Sequence, residues 1–481
     1  MRTNSRVAVV VGVSSMALVI GACTALLGDD FSITDTPAPA ADGAPSDDDS
    51  PIPLRCTLTT PTALAIQDDL ACVGELGVHP MDADRFRLLY NAVPSGSTFD
   101  AGAAGVRGAT IAYDGGAVEL APLAGPSSYV SSAREDGGIV VFAANGATNE
   151  FRGMVARWRD SEKEIGSQMQ ILPAVDLEGG SLDGYVATSQ SHPGEHFVLW
   201  ANALNGFQSP TLSHAFADAS TESSALPVPQ GGSIAYFVSG APIVAGNTLL
   251  AAAGYRANGE APRLAVWTLP LDGGRVSAAT AMENPNDVIS TASIANDGER
   301  LYVYIEELSS SVEPIRHRIL FGSIPLSEVG DPEAIASRLR VTEIAAAATL
   351  AQTLSVVSIA GRLVMRSDAP KGAVKSLVVG TAVEGAQIRM RAFDSKDRLV
   401  ARSSDSAAWS LPNTIATKAG ELNAIGVLPV PRDPSAFQIV FRARIDDTPG
   451  NPGVTCCGPV CGRSTIYTGR ITCSPEDAAA P

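Results

Sequence analysis

Asn296-Asp297-Gly298-Glu299-Arg300-Leu301-Tyr302-Val303-Tyr304-Ile305 is the stretch that decides the fold. Asp-Gly supports a tight turn that needs positive φ, and the branched and aromatic run behind it enters a sheet. The same pattern, a short apolar run after a Gly, Asn or Asp cluster, recurs along the chain. It is seen in Phe86-Arg87-Leu88-Leu89-Tyr90, Ile139-Val140-Val141-Phe142, Phe197-Val198-Leu199-Trp200, Thr248-Leu249-Leu250-Ala251, Leu363-Val364-Met365 and Phe437-Gln438-Ile439-Val440-Phe441.

Leu88, Ile139, Phe197, Leu249, Leu301, Leu363 and Ile439 mark these runs, at gaps of 51, 58, 52, 52, 62 and 76 residues. A second run follows several of them at a near-constant distance. Ile139 leads to Met154, Leu249 to Leu264, Leu301 to Ile319 and Leu363 to Leu377. A hairpin repeated every fifty-odd residues is the signature of a propeller. The fold expected is all-β, a single β-propeller of roughly six to eight blades over residues 54–450. A pair of β-sandwich domains is the alternative that also gives short strands and frequent turns.

Two passages carry a resemblance. Asn296 to Val303 resembles the turn and strand of TolB-like bacterial propellers, and Val266-Trp267-Thr268-Leu269-Pro270-Leu271-Asp272-Gly273-Gly274 resembles the outer hairpin of their blades. The resemblance implies a propeller fold with the first passage at the head of a blade strand. Helical periodicity is poor throughout. Thr60-Pro61 can open a short helix over Ala63 to Cys72, with Thr as N-cap, and Asp331-Pro332 can open another through Arg338.

The N-terminus carries an address. Arg2 and Arg6 precede an uncharged, mostly apolar stretch from Val7 to Ile20, and Gly21-Ala22 precede Cys23. This is the layout of a secretory signal. Ile20-Gly21-Ala22-Cys23 resembles the lipobox of bacterial lipoproteins. That resemblance implies removal of residues 1–22, acylation of Cys23 with palmitate-like chains, and a cell-envelope site. Thr24, which is not Asp, leans the family rule towards the outer membrane. An uncleaved helix over Val7 to Leu27 is the other reading, about long enough to span a bilayer. Either places the body outside the cytoplasm, because the two arginines hold the N-terminus in.

Thr24 to Pro53 is acidic and rich in Pro, Ala and Asp, and such a stretch buries too little apolar surface to order itself. With Cys23 it forms a 23–53 tether of roughly 30 Å r.m.s. reach. The chain carries −17, and loss of Arg2 and Arg6 with the signal takes it to −19. That charge excludes nucleic acid and electrostatic docking on anionic lipid. Gly and Pro number 45 and 32, which fits many turns rather than long helices.

Seven cysteines leave six once Cys23 is set aside: Cys56, Cys72, Cys456, Cys457, Cys461 and Cys473. An even count in an exported chain points to disulfides. Two precede the main body and four follow it, the last four in a Cys-rich segment over 451–481. In a propeller the first and last strands share a blade, so flanking cysteines can staple the closure. The competing arrangement is a local Cys56–Cys72 bridge and a knot among the last four. A zinc knuckle on Cys457 and Cys461 is disfavoured by the exported address and by the lack of nearby His.

Chemistry is nearly silent. His192-Pro193-Gly194-Glu195-His196 matches the H-x-x-E-H pattern of inverted zinc peptidases, but Pro-Gly breaks the helix that pattern needs and makes a turn. His79, His214 and His317 are isolated and read as surface or loop residues, and the strand face Arg316-His317-Arg318 is a small basic point. Asp47-Asp48-Asp49 lacks the alternation of a calcium loop. No catalytic residue, metal ligand or cofactor is assigned. The reading is a membrane-anchored binding or scaffolding module of the envelope, held by its lipid, with an envelope protein or cell-wall ligand as partner and no nucleic acid. A hydrolase or lactonase at the channel mouth is the alternative. A sugar receptor would need exposed Trp158, Trp200, Trp267 or Trp409 lining a groove.

Overall fold

The structure, a computed structural model, describes residues 52–475 apart from a set of segments, the longest being 94–104, 203–210, 329–339, 350–361, 403–421 and 445–463. The described strands form seven antiparallel sheets. From the axis outwards, blade 2 runs Ser128–Glu135, Gly138–Ala147, Glu150–Arg159 and then Met169–Gln170 with Val175–Asp176. Blade 3 is Leu182–Thr188, His196–Asn202, Thr211–Ala215 and Thr221–Ala225. In blades 1 and 4 the innermost strand comes in two pieces, Asp69–Leu70 with Gly77–Pro80 and Ile234–Ser239 with Ile243–Ala245. Blades 5 and 6 begin at Asp287–Asn296 and Arg362–Met365. Successive innermost strands touch, from Gly77–Pro80 round to Leu422–Pro429 and back, so the sheets close a ring. The protein is a seven-bladed β-propeller.

Six of the seven apolar runs legible in the sequence are second strands. Such a strand is covered on both faces by neighbouring blades, so it reads as a continuous apolar run rather than an alternation. Ile139, Val141 and Ala143 pack towards blade 1 with Leu89, Ala121 and Trp158. Val140 and Phe142 pack towards blade 3 with Val186, Val198 and Trp200. Phe197 and Leu199 in turn face blade 4 with Leu249 and Trp267. Each fully buried large side chain of this kind contributes about 1.5–3 kcal/mol.

Blades also meet where a glycine lets them. A Cβ on Gly108 would lie 2.5 Å from Trp158 Cζ3, one on Gly184 would lie 2.7 Å from Phe142 Cε1, and one on Gly426 would lie 2.5 Å from Val78 Cγ2. Only a residue without a side chain lets the aromatic or branched neighbour approach so closely.

The seventh blade closes the ring. Its first three strands are Leu422–Pro429, Ala436–Arg444 and Ser464–Pro475, the third coming from within the Cys-rich C-terminal segment. Its outermost strand is Leu54–Leu58, from the other end of the chain. Cys56 stands directly opposite Cys473 in the register, and the two form a disulfide with Cα atoms 4.0 Å apart across 417 residues of sequence. The Cys56–Cys72 bridge is thereby set aside. Cys72, Cys456, Cys457 and Cys461, like Cys23, lie outside the described residues.

The helix expected from Ala63 to Cys72 is corrected. Thr62–Ala63 is a strand fragment on Thr468 and Tyr467, and Asp69–Leu70 is another on Val93 and Ala92. The reason is burial: Leu64 donates its backbone N–H to Ile466 O at 2.9 Å and packs with Leu76, Phe86, Leu88 and Ile466. The tertiary site outweighs a marginal local helix signal. The second candidate helix, opened by Asp331-Pro332, falls outside the described residues. The passage at Asn296 ends the first strand of blade 5 and feeds its second, Arg300–Ser309. The passage at Val266 lies on the third strand of blade 4, Arg263–Pro270. Both positions agree with the propeller that the resemblance implied.

Replacing both Cys56 and Cys473 by serine lowers stability by about 2–5 kcal/mol, read as a fall in Tm by calorimetry under non-reducing conditions. Gly108→Val, which drives a branched side chain into Trp158, costs about 2–3 kcal/mol by the same measurement.

Candidate functional site

The connections divide the molecule into two faces. One carries the turns from first to second strand and from third to fourth strand of each blade. It is called here the turn face. The other carries second-to-third connections and the links between blades, and those lie largely outside the described residues. On the turn face, blades 1 to 3 bring histidines, arginines and carboxylates together.

The turns themselves are written locally. Asp82, Asp114, Asp218, Asp394 and Asp433 each accept the backbone N–H two residues on. This Asx turn is why aspartate recurs there. Hydrogen bonds from Ser220 hold the Asp218 carboxyl below its usual range. Burial would raise Asp82, but the Arg85 guanidinium and the backbone N–H groups of Asp84 and Arg85 outweigh it and hold it low. Gly194 takes φ 90°, and the Glu195 N–H donates to His192 O at 3.1 Å, so His192-Pro193-Gly194-Glu195-His196 is a turn, as its Pro-Gly pair implies.

The three histidines near that turn go to three different places. His196 is buried, with Nε2 3.2 Å from Arg157 Nη2 and 3.5 Å from Glu135 Oε2, both on blade 2. His214 pairs with Glu195 Oε2 at 2.7 Å and sits against the rings of Phe197 and Phe216, with centroids at 4.4 and 3.9 Å. His192 Nδ1 lies 3.0 Å from Ser191 Oγ, and that hydroxyl donates to Gly246 O of blade 4 at 3.3 Å. Among the described residues, no group of three or more His, Cys, Asp or Glu is placed to hold a metal.

Between blades 1 and 2 the centre is Arg87. Its side chain is 1% exposed, with Cζ 3.9 Å from the Trp158 ring centroid. Nη1 donates to Trp158 O at 2.7 Å, and Nη2 donates to Arg159 O at 2.8 Å and Glu162 O at 3.0 Å. Asp160 Oδ1 is 3.6 Å away and Arg134 holds the same carboxylate through both of its terminal nitrogens. Burial lowers the Arg87 pKa to about 10, partly opposed by Asp160, so the guanidinium stays charged at neutral pH. A buried cation is tolerable because both terminal nitrogens meet carbonyls, a carboxylate stands beside it and the Trp158 ring covers its plane.

His79 and Ser132 join the innermost strands of the same two blades, Nε2 to Oγ at 2.6 Å. This resembles a base beside a nucleophile in distance alone. Burial, and then the Arg134 charge, push the His79 pKa down to about 3. A general base works best with a pKa near the working pH, and a low one suits the imidazole to its place as a neutral hydrogen-bond partner across the seam.

His79 and His214, read from the sequence as surface or loop residues, are corrected: both stand on strands and bind across the sheet or the seam. His317 lies on the strand Ile315–Pro325. Trp158, Trp200 and Trp267 are buried between blades and line no groove, while Trp409 falls outside the described residues. The sequence reading missed Arg87. Its signal was a charge inside the apolar run Phe86-Arg87-Leu88, on a strand with both faces covered. Chemically the turn face binds blade to blade. Among the described residues Ile52 alone is a large apolar side chain left exposed.

No protein-family profile matches the chain. No curated protein matches it. Solved structures do. An ulvan lyase of polysaccharide lyase family PL25 shares 12% identity over 70% of this chain and 82% of its own, with a TM-score of 0.48. An α-L-arabinofuranosidase of family GH93 from Fusarium graminearum shares 11% over 71% and 92%, at 0.41. A Lactobacillus plantarum protein shares 12% over 76% and 93%, also at 0.41.

Two expectations follow from the geometry. Arg87→Met keeps the stem but takes the guanidinium donors from the carbonyls of Trp158, Arg159 and Glu162, and costs about 3 kcal/mol in chemical denaturation. His79 is neutral in the folded protein and takes up its proton only on unfolding. Its stability contribution is therefore complete above pH 6.5 and is lost as pH falls from 6.5 towards 3. The loss is about 1 kcal/mol per pH unit, set below the full ~1.4 because part of the ring meets solvent. His79→Gln flattens that slope, seen as a smaller fall in Tm between pH 6.5 and 4.5 than in the parent.

Proposed function

We propose that the protein is an extracytoplasmic lipoprotein, anchored through acylated Cys23 in the cell envelope and in its outer membrane, whose propeller is a binding or scaffolding module. The observation that carries this reading is the Cys56–Cys473 disulfide. A buried bridge across the whole ring belongs to a protein that meets an oxidising compartment, and the lipobox-like Ile20-Gly21-Ala22-Cys23 supplies the route. Leu54 lies opposite Pro475 at the turn face, so the acidic tether joins the body there. On the turn face Arg87, Arg134, His79 and His196 are engaged between blades, and the His214–Glu195 pair is held within blade 3, which fits a face built for cohesion and supports the binding reading.

Globomycin treatment is expected to build up a precursor longer by residues 1–22, and labelled palmitate to enter the parent chain but not Cys23→Ala. Chemical cross-linking in intact cells is expected to give a discrete adduct for the parent that fades when Cys23→Ala frees the body from its membrane. An unprocessed, unlabelled chain would overturn the anchor. A parent that gives no adduct while the anchor holds would overturn the binding role.

A further inference from the structure

We propose that residues 52–66 are a latch, an arm that docks last onto an otherwise assembled ring and is locked there by oxidation of Cys56 and Cys473. This inference stands whether or not Cys23 is acylated.

Four observations carry it. The arm sits at an edge: Leu54–Leu58 pairs on one side only, with Ser464–Pro475, whose other side pairs with Ala436–Arg444. Its inward residues are few. Leu54, Cys56, Pro61 and Leu64 are buried, while Arg55, Thr57, Thr59, Thr60, Thr62 and Ala63 are exposed. Its sulfur partner is 417 residues away, a distance in sequence that no local structure bridges, so the two thiols meet only after the strands of blade 7 and the ring behind them have formed. Last, Cys56 is 7% exposed and Cys473 4% in the docked state. Sulfurs so enclosed meet a disulfide or thiol reagent slowly, so oxidation, and reduction in turn, proceed through states in which the arm is lifted from its edge.

The order of events follows from that enclosure. With the arm free, the Cys56 thiolate attacks a disulfide donor, a dithiol oxidase or a small-molecule disulfide, forming a mixed disulfide and releasing one donor thiolate. The arm then docks. The Cys473 thiolate attacks Cys56 Sγ, the Cys56–Cys473 bond forms, and the second donor thiolate leaves. Two electrons pass to the donor, and two protons leave the cysteines for the two donor thiolates. In a reducing compartment the exchange runs backwards and the arm stays loose, so the locked arm is confined to the oxidising side of the membrane.

Arg55 makes this testable, because it is the one Lys or Arg between Arg6 and Arg85. Trypsin can cut after it only when the arm leaves its edge, since a protease needs an unfolded stretch around the bond. The full chain is digested under native conditions with and without reductant, and cleavage at Arg55 is followed by mass spectrometry. Reduction is expected to raise the cleavage rate at Arg55 at least tenfold while Arg85, Arg87 and the rest of the body stay intact. A variant with Cys72, Cys456, Cys457 and Cys461 all changed to serine should behave as the parent. Cys56→Ser with Cys473→Ser should be cut at the fast rate in either condition. A rate at Arg55 that ignores reductant would overturn the latch by showing that packing alone holds the arm. Cleavage across the whole body at the same rate as Arg55 would overturn it by showing that the bridge supports the ring at large.

Discussion

Pairing of Leu54–Leu58 with Ser464–Pro475 is the constraint that completes the closing blade of the ring. A blade buries its two faces only against two neighbours. Were the ring to open, blades 7 and 1 would each expose an apolar face. On one side that surface includes Leu428, Val440 and Ile466, and on the other Phe86, Leu88 and Tyr90, all parts of one buried cluster. The chain offers no covalent continuity between blades 6 and 7 and the strand that completes blade 7, other than by passing once around the ring. The disulfide supplies it directly. In the chain-entropy account a loop of this length corresponds to about 6 kcal/mol, though strain and residual structure reduce what is measured.

The other seams are held by shape and by polar ties at the turn face. Blade 7 meets blade 1 through Gly426 against Val78 and, at the surface, Arg432 with Asp84 at 2.8 Å. Blades 1 and 2 share Gly108 against Trp158, the Arg87 guanidinium and the His79–Ser132 contact. Blades 2 and 3 share Gly184 against Phe142, the Ser131 hydroxyl accepting from Val186 N, and Thr188 donating to Arg134 O. The surface ion pair contributes little, because both partners are solvated. The buried ties matter more for register. An arginine with three carbonyl acceptors fits one angle between its blades, and a sliding blade would strand it.

Much of this was legible in the sequence, for a physical reason. A strand buried on both faces is apolar at most positions, and six of the seven marked runs are the second strands of blades. The exception is Leu363, which lies on the first strand of blade 6, Arg362–Met365. The second strand of that blade, Ser376–Ala382, opens with a buried serine and is less conspicuous. Marking that strand at Leu377 would only exchange the two gaps, to 76 and 62, so the extra length lies around blade 6 whichever strand is marked. Thr60-Pro61 misled because the local sequence satisfied an N-cap rule while the site that Leu64 enters lies some four hundred residues away. The disulfide partner could not be chosen for the same reason: pairing depends on the register Cys56 to Cys473, and register is a property of the closed ring. Arg87 stood in plain view, but a charge inside an apolar run says only that a partner exists. The carbonyls of Trp158, Arg159 and Glu162 come from a turn seventy residues on.

The position of the bridge follows from the weakest seam. Elsewhere in the ring a blade is one continuous run of strands, so fraying of its outer strand is opposed by hairpins on the inner side and by the chain running on into the next blade. Blade 7 alone takes its outermost strand from a distant part of the sequence, and that strand has an acidic segment before it and a short link, through Thr62–Ala63 and Leu64, into blade 1. Edge strands with one partner and a free end are the first to leave a sheet. A cross-link within any other blade would tether strands that hairpins already tether, and would close a much shorter loop. Placed at Cys56 and Cys473, it joins the two segments whose separation in sequence is greatest and whose contact in space is otherwise easiest to lose.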